Sequence, residues 1–290
     1  MSIIIALLGN AVMAAVGITD KFILTKTVSK PVVFVFYSTI FILALFLVLP
    51  FGLVRMPVAQ TDYLIFILSG AGFFFGVWAM YNTIEQSEVS QAGPLIGAIT
   101  PIFILFLSRI FLNEQLTRQS LVGAAFLILG SLIISFEKKQ TTGLWRNGLR
   151  WAVLSGFLFA VSHVAAKYAF NQYDFLSGFF WTKLPLGVLA VCLIAHPDVR
   201  ALFNKKTNVT VEKMPKKKQL FWVAAGVLLG VLGTVLIQYA MSLGSVSLVN
   251  AMSGVQYVIL MIFVAIISKY FPSILKETFT KQQIIHKAVA

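Results

Sequence analysis

A chain of 290 residues with 59% hydrophobic and only 11% charged side chains has a mean hydropathy of +0.89. Soluble domains carry roughly 25% charged residues, so this much apolar surface cannot be hidden in water and a soluble globular fold is excluded. The net charge of +13 comes from basic residues set between apolar runs, with no basic domain interleaved with aromatics, which argues against a nucleic-acid binder.

A bilayer core about 30 Å thick needs about 20 mostly apolar residues per helix. Windows of that size predict spans near 3–25, 32–54, 62–82, 88–110, 118–136, 148–170, 174–195, 219–241 and 246–268. A tenth begins after Lys281 and is read as incomplete where the chain ends. The first span has the apolar core of a signal peptide but no basic n-region, and it has a partner later in the chain, so it is read as a retained helix. The single cysteine, Cys192, lies in an apolar run, which rules out an intrachain disulfide and a cysteine-based metal site; no metal or cofactor is expected.

The chain repeats itself. AVMAAVGITDKF at 11–22 aligns with FLFAVSHVAAKY at 157–168, and Glu114-Gln115-Leu116-Thr117 falls opposite Glu277-Thr278-Phe279-Thr280. Residues 1–140 and 141–290 are thus expected to form two five-helix repeats. Five is odd, so the second copy must enter the membrane from the opposite side, an inverted-repeat design that places a binding site at the midplane. The fold class expected is all-α, a polytopic membrane protein. Lysine and arginine gather at one end of the spans, in Lys26, Lys30, Lys138, Lys139 and above all the stretch NKKTNVTVEKMPKKK. By the positive-inside rule that end is cytoplasmic and the N-terminus outside, in a cell membrane.

The turn EVSQAGPLIGAITPIF, with Pro94 and Pro101, the following NEQLTRQSLVGAAFLILG and the degraded copy KETFTKQQIIHK resemble the EamA-type repeat of the drug/metabolite transporter superfamily. The resemblance spans nearly the whole chain and implies a ten-helix fold and a small-molecule metabolite as cargo, without naming which one. Two features depart from the pattern: the tenth span is cut short, and the second half lacks prolines where Pro94 and Pro101 stand.

Ionisable groups inside a bilayer cost about 2.5–3.5 kcal/mol each at a helix centre and need a reason to be there. Lys183, midway along the seventh span, is expected to line a central cavity as an anion contact or paired base. Asp20 is the carboxylate candidate for proton coupling or a salt bridge, and His163 for proton relay or an interhelical hydrogen bond. Lys21 and Lys167 have stems long enough to snorkel to the boundary, with substrate contact as the alternative. Gln238, Tyr239, Asn250, Gln256 and Tyr257 are further cavity candidates, and Trp78 and Tyr81 are cavity candidates whose position near a surface also fits an interfacial belt. The seven-residue spacing of Gly123 and Gly130 is read as close helix packing, and the prolines of span four as a bend that suits gating.

The reading is a secondary transporter, an exporter or exchanger working by alternating access. A lipid flippase or a non-transporting membrane scaffold is the alternative. No P-loop, HExxH or GxSxG motif is present, and an enzyme is not expected. Protons as coupling ion, contact with membrane lipid and assembly into a homodimer are left open.

Overall fold

A bilayer offers backbone N–H and C=O groups no partner, so each apolar run winds into a helix that satisfies its own. The computed structural model describes residues 1–26, 31–86, 89–135, 143–203 and 216–270. Among them the chain runs through α1 (Ser2–Lys26), α2 (Pro31–Ile40) with a 3-10 stretch continuing it (Phe41–Phe51), α3 (Gln60–Gln86), α4 (Val89–Phe111), α5 (Arg118–Ser135), α6 (Gly143–Gln172) and α7 (Phe175–Cys192). Then follow a short α8 (Pro197–Phe203), α9 (Lys216–Leu243), α10 (Val246–Ala251) and α11 (Ser253–Tyr270). The nine complete spans predicted from the sequence are therefore helical across the described residues. The tenth span, most of the polybasic stretch, the Lys21 side chain and Glu88 lie outside them.

Six of these helices are long and apolar enough to cross a membrane unbroken. Besides the 3-10 turn Leu193–Ala195 that ends the seventh span, two spans depart from a plain α-helix. The second changes pitch at Phe41, and the ninth breaks at Met252 into α10 and α11. The outer surface is strongly apolar, with Phe126 72% and Leu228 70% exposed, which is the face a protein turns to lipid.

α1 descends from Met1 at one end of the bundle. Gly244, just past the end of α9, closes on the side chain of Ser2, so α9 rises to that same end. α6 also rises there, because Lys167 in its last turns reaches the α9 carbonyls of Met241 and Ser242. The matching stretches 11–22 and 157–168 thus run in opposite directions, and the two repeats are inverted.

Packing divides the helices into two bodies. α3 lies along α6 and α7, α4 packs on α6, and α5 on α4; α1 lies along α9 and α11. Small residues let the first body close up. A methyl group at Gly70 would stand 2.9 Å from the Thr182 carbonyl oxygen and the Leu186 nitrogen, and one at Gly76 would strike the Phe159 ring at 2.9 Å. Gly123, expected to serve close packing, instead faces open space, because its side of α5 looks outward to lipid. Gly70→Ala is accordingly expected to cost about 1–3 kcal/mol by overpacking, while Gly123→Ala is neutral or stabilising by up to about 1 kcal/mol through helix propensity. Thermal unfolding of the two variants in detergent compares them directly.

Candidate functional site

Between the two bodies lies a cavity of about 340 Å³, within the range of small-molecule sites. α3, α4, α6 and α7 form one wall, and α1, α9, α10 and α11 the other, with α2 closing a side. Its lining extends down to Asp20, Tyr81, Gly93 and Gly226, near the end of the bundle away from Met1.

Lys183 stands at the centre. It is 1% exposed, its Nζ has no hydrogen-bond partner, and it sits 4.1 Å from the centroid of the Phe73 ring, a cation–π contact. His163 stacks on Phe159 with ring centroids 6.3 Å apart and meets the edge of Phe73 at the same distance; its Nδ1 is buried without a partner. Gln238 is 1% exposed and both polar atoms of its amide are unpartnered. Its level follows from the Lys167–Met241 contact: His163 lies one helical turn below Lys167, and Gln238 three residues below Met241 on a helix running the same way. The three unsatisfied groups therefore share a level of the cavity.

Asp20 lies lower. It interacts through space with Tyr81, whose hydroxyl meets Ser38, and Tyr81 is eight residues beyond Phe73 on α3, roughly 12 Å along the axis. Asn250, Gln256 and Tyr257 also line the cavity. Asn250 uses its Nδ2 to donate to the Val246 carbonyl at 2.9 Å. Tyr81 is 4% exposed and forms cavity wall, so the belt alternative for it is corrected. Trp78 and Tyr239 do not reach the cavity. Each follows a lining residue, Val77 and Gln238, and a single helical step of about 100° turns it outward, where Trp78 packs on Trp151 and Tyr239 on Phe175.

Sequence reading missed Asn10, 2% exposed on the α1 wall, and Thr100 on α4. Asn10 is the single amide of the first span, a signal that was available. Pro101 removes the N–H that would bond the Gly97 carbonyl, and that oxygen accepts instead from the Ser253 hydroxyl at 3.2 Å. Ser253 begins α11, at the break of span nine, and the Tyr257 ring one turn on lies where a Gly97 methyl would be, 2.3 Å from it. The proline-bearing helix of one body and the broken helix of the other thus cross at these four residues.

Further polar contacts lie at the Met1 end, outside the cavity lining. The Tyr173 hydroxyl donates to the Asp62 carboxylate, and burial followed by this bond holds it above its usual range. Asp174 caps α7 by accepting from the Ser177 N–H at 3.1 Å and hydroxyl at 2.9 Å, with Arg55 3.7 Å away. Desolvation would raise its carboxyl, but the Ser177 bonds and the Arg55 charge outweigh it and hold the group below 3.8.

A helical bundle of two opposed repeats around a buried, polar-centred cavity is the architecture of a membrane transporter. The sequence profile of the EamA-like transporter family matches residues 1–136 and 146–286, and the chain belongs to that family. An uncharacterized transporter of Helicobacter pylori (strain J99 / ATCC 700824) is 25% identical over 232 residues, 77% of this chain and 73% of the relative. A protein of Streptantibioticus cattleyicolor named as a probable terminal-alkyne amino-acid exporter is 31% identical over 123 residues, 41% of this chain and 40% of the relative. One solved crystal structure, 14% identical, superposes with a TM-score of 0.66 over 98% of this chain and 94% of its own, a likeness of fold alone.

Two outcomes follow from the geometry. Ser253→Ala leaves the Gly97 carbonyl without its partner and is expected to lower stability by about 1–3 kcal/mol, read from the unfolding midpoint. Because the Asp174 carboxyl is depressed on folding, its contribution is full above the ordinary value of 3.8 and is lost as pH falls below it. The midpoint of Asp174→Asn should therefore lie below that of the unaltered chain at neutral pH and converge with it on acidification through that window.

Proposed function

We propose that this protein is a secondary transporter that exports or exchanges a small amphipathic metabolite across the cell membrane by alternating access, with the cavity as its cargo site. One observation carries the reading: a buried ammonium, Lys183, without a hydrogen-bond partner, in a cavity of about 340 Å³ beside an unpartnered amide and imidazole. An ion taken out of water costs several kcal/mol unless it is paired, so such a group is retained where a partner arrives from outside.

The unsatisfied atoms define the complement. Lys183 Nζ and the Gln238 Nε2 are donors that suit a carboxylate; the Gln238 Oε1 is an acceptor that suits an ammonium; and His163 Nδ1 serves in either sense according to its tautomer. The head of an α-amino acid presents that pair of charges, and Phe73, Phe159 and Phe179 offer an apolar wall for its side chain. The relative named as an amino-acid exporter supports the same class. Asp20, at the Tyr81 level of the cavity below Phe73, is the group proposed to carry a proton. The gathering of basic residues at the far end supports an N-terminus outside the cell.

Transport into proteoliposomes of a panel of amino acids and other metabolites, with and without a pH gradient, tests the reading. Lys183→Met is expected to fold and to lose about 30-fold or more of its flux, the scale of removing one member of a buried charge pair. Full flux in that variant would take Lys183 out of the site. Asp20→Asn should abolish the response to a pH gradient; an unaltered response would end its coupling role. Lipid scrambling with no solute movement would favour a flippase instead.

A further inference from the structure

The end of the bundle nearest Met1 holds a polar cluster that the cargo site does not use. Its members come from both bodies. Lys167, on α6, donates from Nζ to the Met241 carbonyl at 2.9 Å and the Ser242 carbonyl at 3.3 Å, the last turn of α9. Those carbonyls have no partner within their helix and carry the negative end of its dipole, so a lysine there is held by charge as well as by hydrogen bonds. Glu114, in the connection after α4, accepts from the Ser247 hydroxyl of α10, and Ser247 in turn lies 2.8 Å from the Ser108 hydroxyl of α4. Lys167 and Glu114 also attract one another through space. Lys167, Ser108 and Glu114 thus belong to the body of α3, α4, α5, α6 and α7, Met241 and Ser242 to α9, which lies along α1, and Ser247 to α10, which bridges α4 and α5 to α9 and α1.

The position matters as much as the bonds. The Tyr173–Asp62 and Arg55–Asp174 contacts at the same end stay within the first body, joining α6 and α7 to the start of α3, and do not hold the two bodies together. The cluster lies one helical turn above the cavity level of His163 and Gln238, and the cavity extends away from it, toward Asp20 and Tyr81. Below it, the bodies touch again where Ser253 meets Gly97, at a proline-bearing helix and a broken one.

We infer that Lys167, Glu114, Ser247 and Ser108 form the gate on the Met1 side: joined, they seal the cavity from that face, and their parting, with the bodies turning about the Ser253–Gly97 crossing, exposes it there. Snorkelling does not account for Lys167, because its Nζ is spent on helix carbonyls. The inference rests on the alternating-access reading above and assigns residues to one step of it. Lys167 and Glu114 act here as positioning residues, reaching the cargo only through the state they hold.

The test uses the full chain in membrane vesicles of both orientations. Cys192 is replaced by serine and a cysteine is placed at Thr234 on the cavity wall, and a membrane-impermeant maleimide is applied to each face in turn. In the parent the probe labels from the basic face and is excluded from the Met1 face. Lys167→Met and Glu114→Gln each remove a charge-assisted bond and are expected to raise labelling from the Met1 face about tenfold, while Lys167→Arg keeps the exclusion. A further variant, Ser108→Cys with Ser247→Cys in a Cys192→Ser background, should oxidise to a disulfide that stops flux and is reversed by reduction. Unchanged Met1-face labelling in both charge variants at native melting temperature overturns the gate, as does a disulfide that forms without slowing flux or fails to form. If the unaltered chain moves no solute but its labelling follows the variants as stated, the transport reading falls and the gate stands.

Discussion

The cost of leaving a polar group without a partner in hydrocarbon governs this molecule. Most of the buried hydroxyls and amides among the described residues satisfy a backbone carbonyl. Asn10 bonds the Ala6 carbonyl, Thr39 that of Val35, and Ser155 crosses to Gly76 on the neighbouring helix. Against that background the unpartnered Lys183, Gln238 and His163 atoms stand out, because three neighbouring residues of one cavity break the rule that the spans largely keep. Outside the cavity, Ser162 and Gln86 are the further exceptions among the described residues.

The same constraint explains the irregular helices. A proline inside α4 orphans a carbonyl, and a hydroxyl on the opposite body answers it. A lysine near the top of α6 finds the acceptors that a helix leaves over, the carbonyls of its last turn. In both cases a local defect in one helix becomes a contact between helices, and these contacts sit at the crossing point and at the closed end of the cavity.

Much of the architecture was legible because apolar spans are long, and their counting depends on bilayer thickness and little else. The inverted repeat was legible too, since the paired segments 11–22 and 157–168 survive in the sequence. Lys183 was marked by its depth in its span. What escaped reading has a common cause, which is helical phase. A run such as FILALFLVLPF is apolar all round, so nothing in it announces a 3-10 pitch, and NAMSGVQ contains no proline to announce the break at Met252. Tyr81 stands near a helix end and fits an interfacial belt on depth alone; only its rotation, set by how α3 lies on α6 and α7, turns it inward while Trp78 faces out. Lys167 similarly had the right length to reach a surface, and the acceptor it uses lies on a helix more than seventy residues away in the chain.

The stretch Phe41–Phe51 has a mechanical consequence. Wound at about 2.0 Å per residue, its eleven residues cover roughly 22 Å, where an α-helix would cover roughly 16 Å. None of its side chains is fully buried, but they interlock with the bundle: Leu43 and Ile42 meet Gly187, Phe46 stands edge-on to Phe180 with ring centroids 5.8 Å apart, and Leu45 packs against Ala166, Phe170 and Phe179. Rewinding to the wider coil would shorten that flank by about one turn's pitch and pull Phe46 off Phe180 and Leu45 off its cluster, so the tighter winding sets how far along α7 the second span reaches.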